Sequence, residues 1–166
     1  MGENAESRAA SAMAATTAEL PSDREIVLTR VFHAPRAVVF DAWTRPERVA
    51  QWWDPSRRPL ASCEIDLRPD GDFRFVPQGP DGEKYAFAGR YREITPPDRL
   101  VFVTLESPVI PSSIGTIVFE EADGTTTLTL TIECASQAHR DALLAMRVDA
   151  GTAQTLDNLA EHLNTC

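Results

Sequence analysis

Residues 136–166 read SQAHRDALLAMRVDAGTAQTLDNLAEHLNTC, with no proline and a single glycine, Gly151. Ser136 suits a helix N-cap, because its hydroxyl can accept a hydrogen bond from an otherwise unpaired first-turn N–H. Leu143, Met146, Ala150, Ala153, Leu156, Leu159 and Leu163 then recur at steps of three and four, the spacing that stacks side chains on one face of an α-helix. One long amphipathic helix is predicted over the whole segment. The chain before it follows a different period, and that contrast decides the fold class.

Working back from Ser136, Thr125–Glu133 alternates Leu128, Leu130 and Ile132 with threonines. This is the two-residue period of a strand with leucines inward. Asp123-Gly124 is a tight hairpin signal joining it to a strand over Ile114–Glu121. A loop containing Pro108 and Pro111 precedes that strand, and Leu100–Glu106 and Lys84–Ile94 form two more, joined by Thr95-Pro96-Pro97-Asp98. Phe87, Gly89 and Tyr91 share one face, and a glycine inside a strand marks a bend or a close backbone approach. Gly79-Pro80-Asp81-Gly82 and Arg68-Pro69-Asp70-Gly71 are turns bounding Asp72–Pro77 and Leu60–Leu67.

Nearer the N-terminus, Glu25–His33 (EIVLTRVFH) is a strand dense in β-branched residues. Pro35 has a preset φ suited to a first helical turn, and Val39, Phe40 and Trp43 follow with helical spacing from Arg36. Pro46 opens a second short helix through about Gln51, and Trp52-Trp53-Asp54-Pro55 closes the unit. Hairpin-linked strands ending in a helix give an α+β layered fold, a curved antiparallel sheet with the helix on one face. Residues 23–166 read as one domain and 1–22 as a disordered tail. Ala9–Ala18 lacks the Leu or Val core of a signal peptide, and Glu3 and Glu6 precede it. Glu6 also stands where a myristoylation signal has Ser or Thr.

Hydrophobic residues make up 43% and charged residues 25% of the 166, the balance of a globular domain. A net charge of −9 and a pI near 4.8 argue against a nucleic-acid partner and disfavour an anionic membrane surface, both of which need clustered Lys and Arg. No apolar run approaches the ~20 residues of a membrane span. Cys63, Cys134 and Cys166 are odd in number and lack CxxC spacing. That pattern predicts neither a disulfide framework nor a zinc site, and points to a reducing cytoplasm. His33, His139 and His162 are scattered without metal-ligand spacing, and no nucleophile elbow is present. Glu64 and Asp66 share a strand face but read as solvated. With no glycine-rich phosphate loop, no cofactor is expected.

Several ordered motifs resemble the START-like superfamily, and within it proteins related to the C-terminal domain of the Hsp90 ATPase activator. They are Thr29-Arg30-Val31-Phe32, Ala34-Pro35, Val39-Phe40-Asp41-Ala42-Trp43-Thr44, Pro46-Glu47 and Gln51-Trp52-Trp53, then Asp66–Gly71, Gly89–Ile94, Pro97–Phe102 and Leu156–Leu159. The resemblance covers roughly residues 25 to 163. It implies a helix-grip (START/Bet v 1-like) fold, the sheet curling around the final helix and leaving a cavity between them. It does not imply Hsp90 contact, because the eukaryotic activator makes that contact through a separate N-terminal domain for which the tail is too short. Many relatives carry an aromatic after the helix glycine where this chain has Thr152; the smaller polar residue is expected to enlarge the cavity or give it a hydrogen-bonding wall.

Within that fold, Trp52, Trp53, Phe73, Phe75, Phe87, Tyr91 and Phe102 supply apolar surface, and some are expected to line the cavity. Met146, Ala150 and Ala153 are the expected opposite wall, since alanines at successive turns leave room that leucines fill. Asp149 and Gln154 flank that face. Arg30 lies between Leu28 and Phe32 on one strand face, so it must be paired with a carboxylate from elsewhere or with an anionic ligand.

Three functional readings follow. The first is non-enzymatic binding of a small hydrophobic or amphipathic ligand. The second is a cyclase, hydratase or dehydratase, which needs an acid or base reaching the cavity. The third is a protein-interaction module, stress-related, which needs a contiguous exposed apolar patch. Open sheet edges also allow a homodimer.

Overall fold

A computed structural model describes residues 15–106 and 111–164. The elements in chain order are β1 (Thr17–Glu19), β2 (Glu25–Phe32), α1 (Arg36–Thr44), α2 (Pro46–Trp52), β3 (Ser62–Ile65), β4 (Asp72–Val76), β5 (Phe87–Thr95), β6 (Arg99–Thr104), β7 (Ile114–Ala122), β8 (Thr125–Glu133), α3 (Gln137–Ala145) and α4 (Val148–Asn164). The strands form one antiparallel sheet in the order β1-β2-β8-β7-β6-β5-β4-β3. Helix α4 packs against β2, α1, α2 and α3. This is the α+β helix-grip arrangement that the sequence resemblance implies.

Alternation sets which side of each strand is buried. Ile26, Leu28, Arg30 and Phe32 of β2 and Thr126, Leu128 and Leu130 of β8 are buried, while the residues between them are partly exposed. At the β7–β8 hairpin, Asp123 and Gly124 both have positive φ, 53° and 75°, the twist-compatible turn that the Asp-Gly pair announces.

Two glycines explain how the sheet holds its aromatics. Gly89 of β5 is paired with Phe73 of β4, and Gly115 of β7 with Phe102 of β6. A Cβ at Gly89 would lie 2.5 Å from Phe73 Cζ and 2.6 Å from the Val103 carbonyl oxygen; one at Gly115 would lie 2.3 Å from Phe102 Cζ. Each ring therefore lies across the backbone of the neighbouring strand, the close approach expected at Gly89.

Four features depart from the sequence reading. Thr17–Glu19, inside the expected disordered tail, pairs with β2 as an edge strand; residues 1–14 lie outside the described residues, as do Pro108 and Cys166. The strand expected from Lys84 begins at Phe87, because Lys84 and Tyr85 donate their backbone N–H groups to Asp81 in a turn, at 3.0 and 3.2 Å. The strand expected over Leu60–Leu67 is confined to Ser62–Ile65.

The largest departure is the C-terminal segment, which is two helices. Ser136 caps α3 as expected, accepting the His139 N–H at 3.1 Å. However, Met146 closes α3, and Arg147 adopts a left-handed backbone with φ 60° before α4 begins. The break resets the helical phase, so the face read through Met146, Ala150 and Ala153 is not one continuous face.

Candidate functional site

A cavity of about 350 Å³ lies between the sheet and the α3–α4 pair. The sheet contributes Phe87 of β5, Phe102 and Thr104 of β6, Ser113, Gly115 and Ile117 at and within β7, and Leu130 and Ile132 of β8. Trp43 of α1, Trp53 and Pro55 close one side. Leu143 of α3, Met146 and Arg147 of the break, and Val148, Gly151, Thr152, Thr155 and Leu156 of α4 close the other.

The cavity survives because α4 changes character along its length. Its first turns present Gly151, Thr152 and Thr155 to the sheet, whereas Leu156 and Leu159 are fully buried. Leucines fill the sheet–helix gap that the small residues leave open, since close-packed interiors tolerate voids only where side chains cannot reach. On the sheet side the Phe102 ring takes the space that a side chain at Gly115 would need. At Gly151 a Cβ would meet no atom within 4 Å. Gly151→Ala is therefore expected to stabilise the protein by about 0.5–1 kcal/mol through helix propensity alone, read as a rise of a few degrees in Tm.

Among the expected site residues, Trp53, Phe87, Phe102 and Met146 line this cavity. Phe73, Phe75 and Tyr91 do not. They pack with Phe87 and Phe102, Phe73 lying 5.1–5.5 Å from its four aromatic neighbours, and border a separate space of only about 20 Å³. Burial there raises the Tyr91 phenol well above its ordinary pKa. Trp52 is 1% exposed, its indole N–H donating to the Ala42 carbonyl at 3.2 Å; it is core. Ala150 is exposed and Ala153 half-buried, and neither lines the cavity, because the break at Arg147 turns α4 so that 148, 151, 152 and 155 face inward. Asp149 and Gln154 are off the cavity too, Gln154 donating to Asn158 Oδ1 at 3.0 Å.

Arg30 is also outside the cavity. It is 8% exposed and forms an ion pair with Asp157 of α4, Nη1 to Oδ1 at 2.5 Å. The expected carboxylate is thus a neighbour in the fold. Arg30 Nε has no acceptor among the described residues and the guanidinium carbon stands 5.9 Å from the Phe32 ring centroid, so Asp157 is the one carboxylate paired with it among the described residues. Asp157→Ala is expected to cost about 2–3 kcal/mol, somewhat below a fully buried pair because Asp157 is half exposed. Urea unfolding with an unchanged m-value checks this.

Thr155 and Asn158, not singled out from sequence, fix the loop that carries Trp53. Thr155 Oγ1 donates to the Trp53 carbonyl at 3.0 Å, and Asn158 Nδ2 to the Trp52 and Asp54 carbonyls at 3.4 and 3.0 Å. Both are buried, and a buried polar group on a leucine-rich helix face is the signal that points to such a role. Trp53 is held edge-on to Phe75, with centroids 4.8 Å apart, and 5.0 Å from Phe87. Trp43, on the same wall, has an indole N–H buried without an acceptor among the described residues.

The cavity offers few polar groups. Thr104 and Ser113 satisfy each other, the Ser113 N–H donating to Thr104 Oγ1 at 2.8 Å. Among the described lining residues, Arg147 is the one charged side chain. His162 and Asp41 lie elsewhere. Burial and the neighbouring Arg48 hold the His162 imidazole below its ordinary pKa. Burial opposes ionisation of Asp41, but hydrogen bonds from Arg45 and Arg48 outweigh it and keep the carboxyl low. Glu64 of β3 and Asp66, just beyond the end of that strand, are both exposed, and burial pushes the Cys63 thiol up to about 11. Among the described residues, no group of three His, Cys, Asp or Glu side chains is placed to hold a metal ion, and no helix is long and apolar enough to cross a membrane.

Residues 33–164 match the family described as Activator of Hsp90 ATPase homolog 1-like protein. No curated protein matches the sequence. Several solved structures share the fold. Protein NE0264 from Nitrosomonas europaea is 25% identical with a TM-score of 0.78, the alignment covering 88% of this chain and 97% of that one. Protein Ms6760 from Mycobacterium smegmatis is 26% identical with a TM-score of 0.79, covering 91% and 98%. A protein from Staphylococcus epidermidis is 27% identical with a TM-score of 0.71, covering 90% and 94%.

Proposed function

The chain belongs to the Activator of Hsp90 ATPase homolog 1-like family, and on that footing we propose that it binds a small hydrophobic or amphipathic molecule between its sheet and α4, without catalysing a reaction on it. One observation carries the reading: a cavity of about 350 Å³, within the ~300–1,000 Å³ typical of small-ligand sites, walled mostly by apolar side chains with a few polar ones.

The composition of the wall favours binding over proton-transfer chemistry. Among the described lining residues there is no Asp, Glu, His, Cys, Lys or Tyr, and a general acid or base must lie within hydrogen-bond reach of the reacting atoms. Hsp90 contact forms no part of the proposal. A reducing cytoplasm suits the free thiols of Cys63 and Cys134.

Fluorescence titration with N-phenylnaphthylamine, a neutral apolar fluorophore, tests the reading. Saturable single-site binding is expected, with energy transfer from Trp43 and Trp53 on the cavity wall and displacement by decanol. Absence of saturable binding to the folded protein overturns it.

A further inference from the structure

The solvent end of the cavity carries an unusual residue. Arg147 stands at the break between α3 and α4 with φ 60°, a conformation that glycine or asparagine normally supplies at a helix C-terminus, because a Cβ there crowds the backbone. Nothing local requires arginine. The turn closes through backbone groups alone, the Arg147 N–H donating to the Leu144 carbonyl and its own carbonyl accepting from Gly151. Backbone strain at a site is a reason to ask what the side chain does.

Arg147 is among the residues that line the cavity. Among the described residues Arg147 makes no ion pair and no side-chain hydrogen bond, although Asp149 lies two residues away. Arg30, Arg36, Arg48, Arg57, Arg90 and Arg99 are each paired with a carboxylate; Arg24, Arg58 and Arg92 have no such pair among the described residues either, but none of them lines the cavity. Arg147 and its neighbour Met146 are exposed, whereas Leu143, Ile117 and Leu156 behind them are buried. The cavity is therefore apolar at depth and cationic at its opening. Val148, the first residue of α4, also lines the cavity; the carbonyl end of α3 and Asp149 in the first turn of α4 offset the positive potential of that helix start, so the guanidinium is the group left to meet an anion.

We infer that the ligand is a single-headed anionic amphiphile, an apolar body ending in a carboxylate, with the body among Ile117, Leu130 and Leu156 and the carboxylate on Arg147. The inference rests on the cavity being the binding site. A planar guanidinium matches a carboxylate through two parallel N–H···O bonds. A volume of about 350 Å³, near the lower end for small-ligand sites, suits a medium-length chain or a compact ring system and is too small for a two-chain lipid. The net charge of −9 makes long-range attraction of an anion weak, so selection must come from this local contact.

Isothermal titration of the full chain with decanoate, decanol and decyltrimethylammonium, near neutral pH and at low salt, tests the assignment in wild type, Arg147→Gln and Arg147→Gly. Wild type is expected to bind decanoate about tenfold more tightly than decanol, the scale of one charge-assisted contact, and the cationic amphiphile least. Both variants are expected to remove the preference, so that decanoate binds each of them no more tightly than decanol does. Arg147→Gly also relieves the left-handed strain, so its Tm is expected at or above that of wild type and lost binding is not lost folding. Equal affinity for decanoate and decanol in wild type, or a preference that persists in both variants, overturns the role of Arg147 while leaving the cavity as the site. If neither decanoate nor decanol binds wild type, the binding-site reading fails and the inference falls with it.

Discussion

Thr152→Trp is expected to abolish ligand binding, weakening a neutral apolar ligand at least about a hundredfold, while the protein stays folded. Thr152 projects from the first turns of α4 into the cavity, where Gly151 and Thr155 leave it without bulky neighbours. An indole placed there occupies the volume a guest needs, and a filled, close-packed site admits nothing else. Filling an apolar void regains dispersion contacts, so Tm is expected to be unchanged or higher, a stability gain of up to about 1–2 kcal/mol. Loss of binding with retained Tm separates occlusion of the site from damage to the fold. Unchanged affinity in a folded Thr152→Trp protein would mean that the ligand sits elsewhere.

Trp52→Ala is expected to show the opposite behaviour, a collapse of stability by about 3–5 kcal/mol, the range for truncating a buried aromatic. Trp52 is 1% exposed, stands edge-on to Trp43 at 4.9 Å and spends its indole N–H on the Ala42 carbonyl. Domains have only ~5–15 kcal/mol of stability to lose, so a fall in Tm of roughly ten degrees is expected from the scale for this size. Trp53→Ala removes a half-buried ring from the cavity wall; its larger effect is expected on ligand affinity, with a smaller change in Tm. Thermal melts and probe titrations on the two variants distinguish adjacent tryptophans that have unrelated jobs.

That adjacent pair shows how far the residues alone can be read. Both tryptophans are large and apolar, and composition cannot say which one faces a void. Trp52 is the last residue of α2 and points into the core; Trp53, one step on, is aimed at the cavity by hydrogen bonds from Thr155 and Asn158, a hundred residues away in sequence. The strands were legible because alternation is a local property, and Leu128 and Leu130 face inward as their period requires. So was Gly89, whose hydrogen side chain marks where Phe73 crosses the backbone.

The helical wall was less legible. Met146, Ala150 and Ala153 fall on one face only if the helix is continuous, and the break at Arg147 carries none of the usual marks, neither Gly nor Asn nor Pro. A residue that adopts an uncommon backbone against its own preference leaves no trace in a periodicity argument. Most of the true wall, Gly151, Thr152 and Thr155, reads as polar or small, which is why a search for apolar stripes passes over it. Thr152 is the exception, visible because the family resemblance leads one to expect an aromatic after the helix glycine.

Mapping a neutral ligand onto backbone amides by two-dimensional NMR tests the central claim most directly, because it asks where a guest sits without assuming its identity. Titration of the labelled full chain with decanol is expected to shift the amides of Gly115, Ile117, Gly151 and Thr152 together in a saturable manner, with β1 and β3 at the sheet edges unaffected. Saturable shifts confined to those edges, or no shifts at all, would contradict a guest held between the sheet and α4.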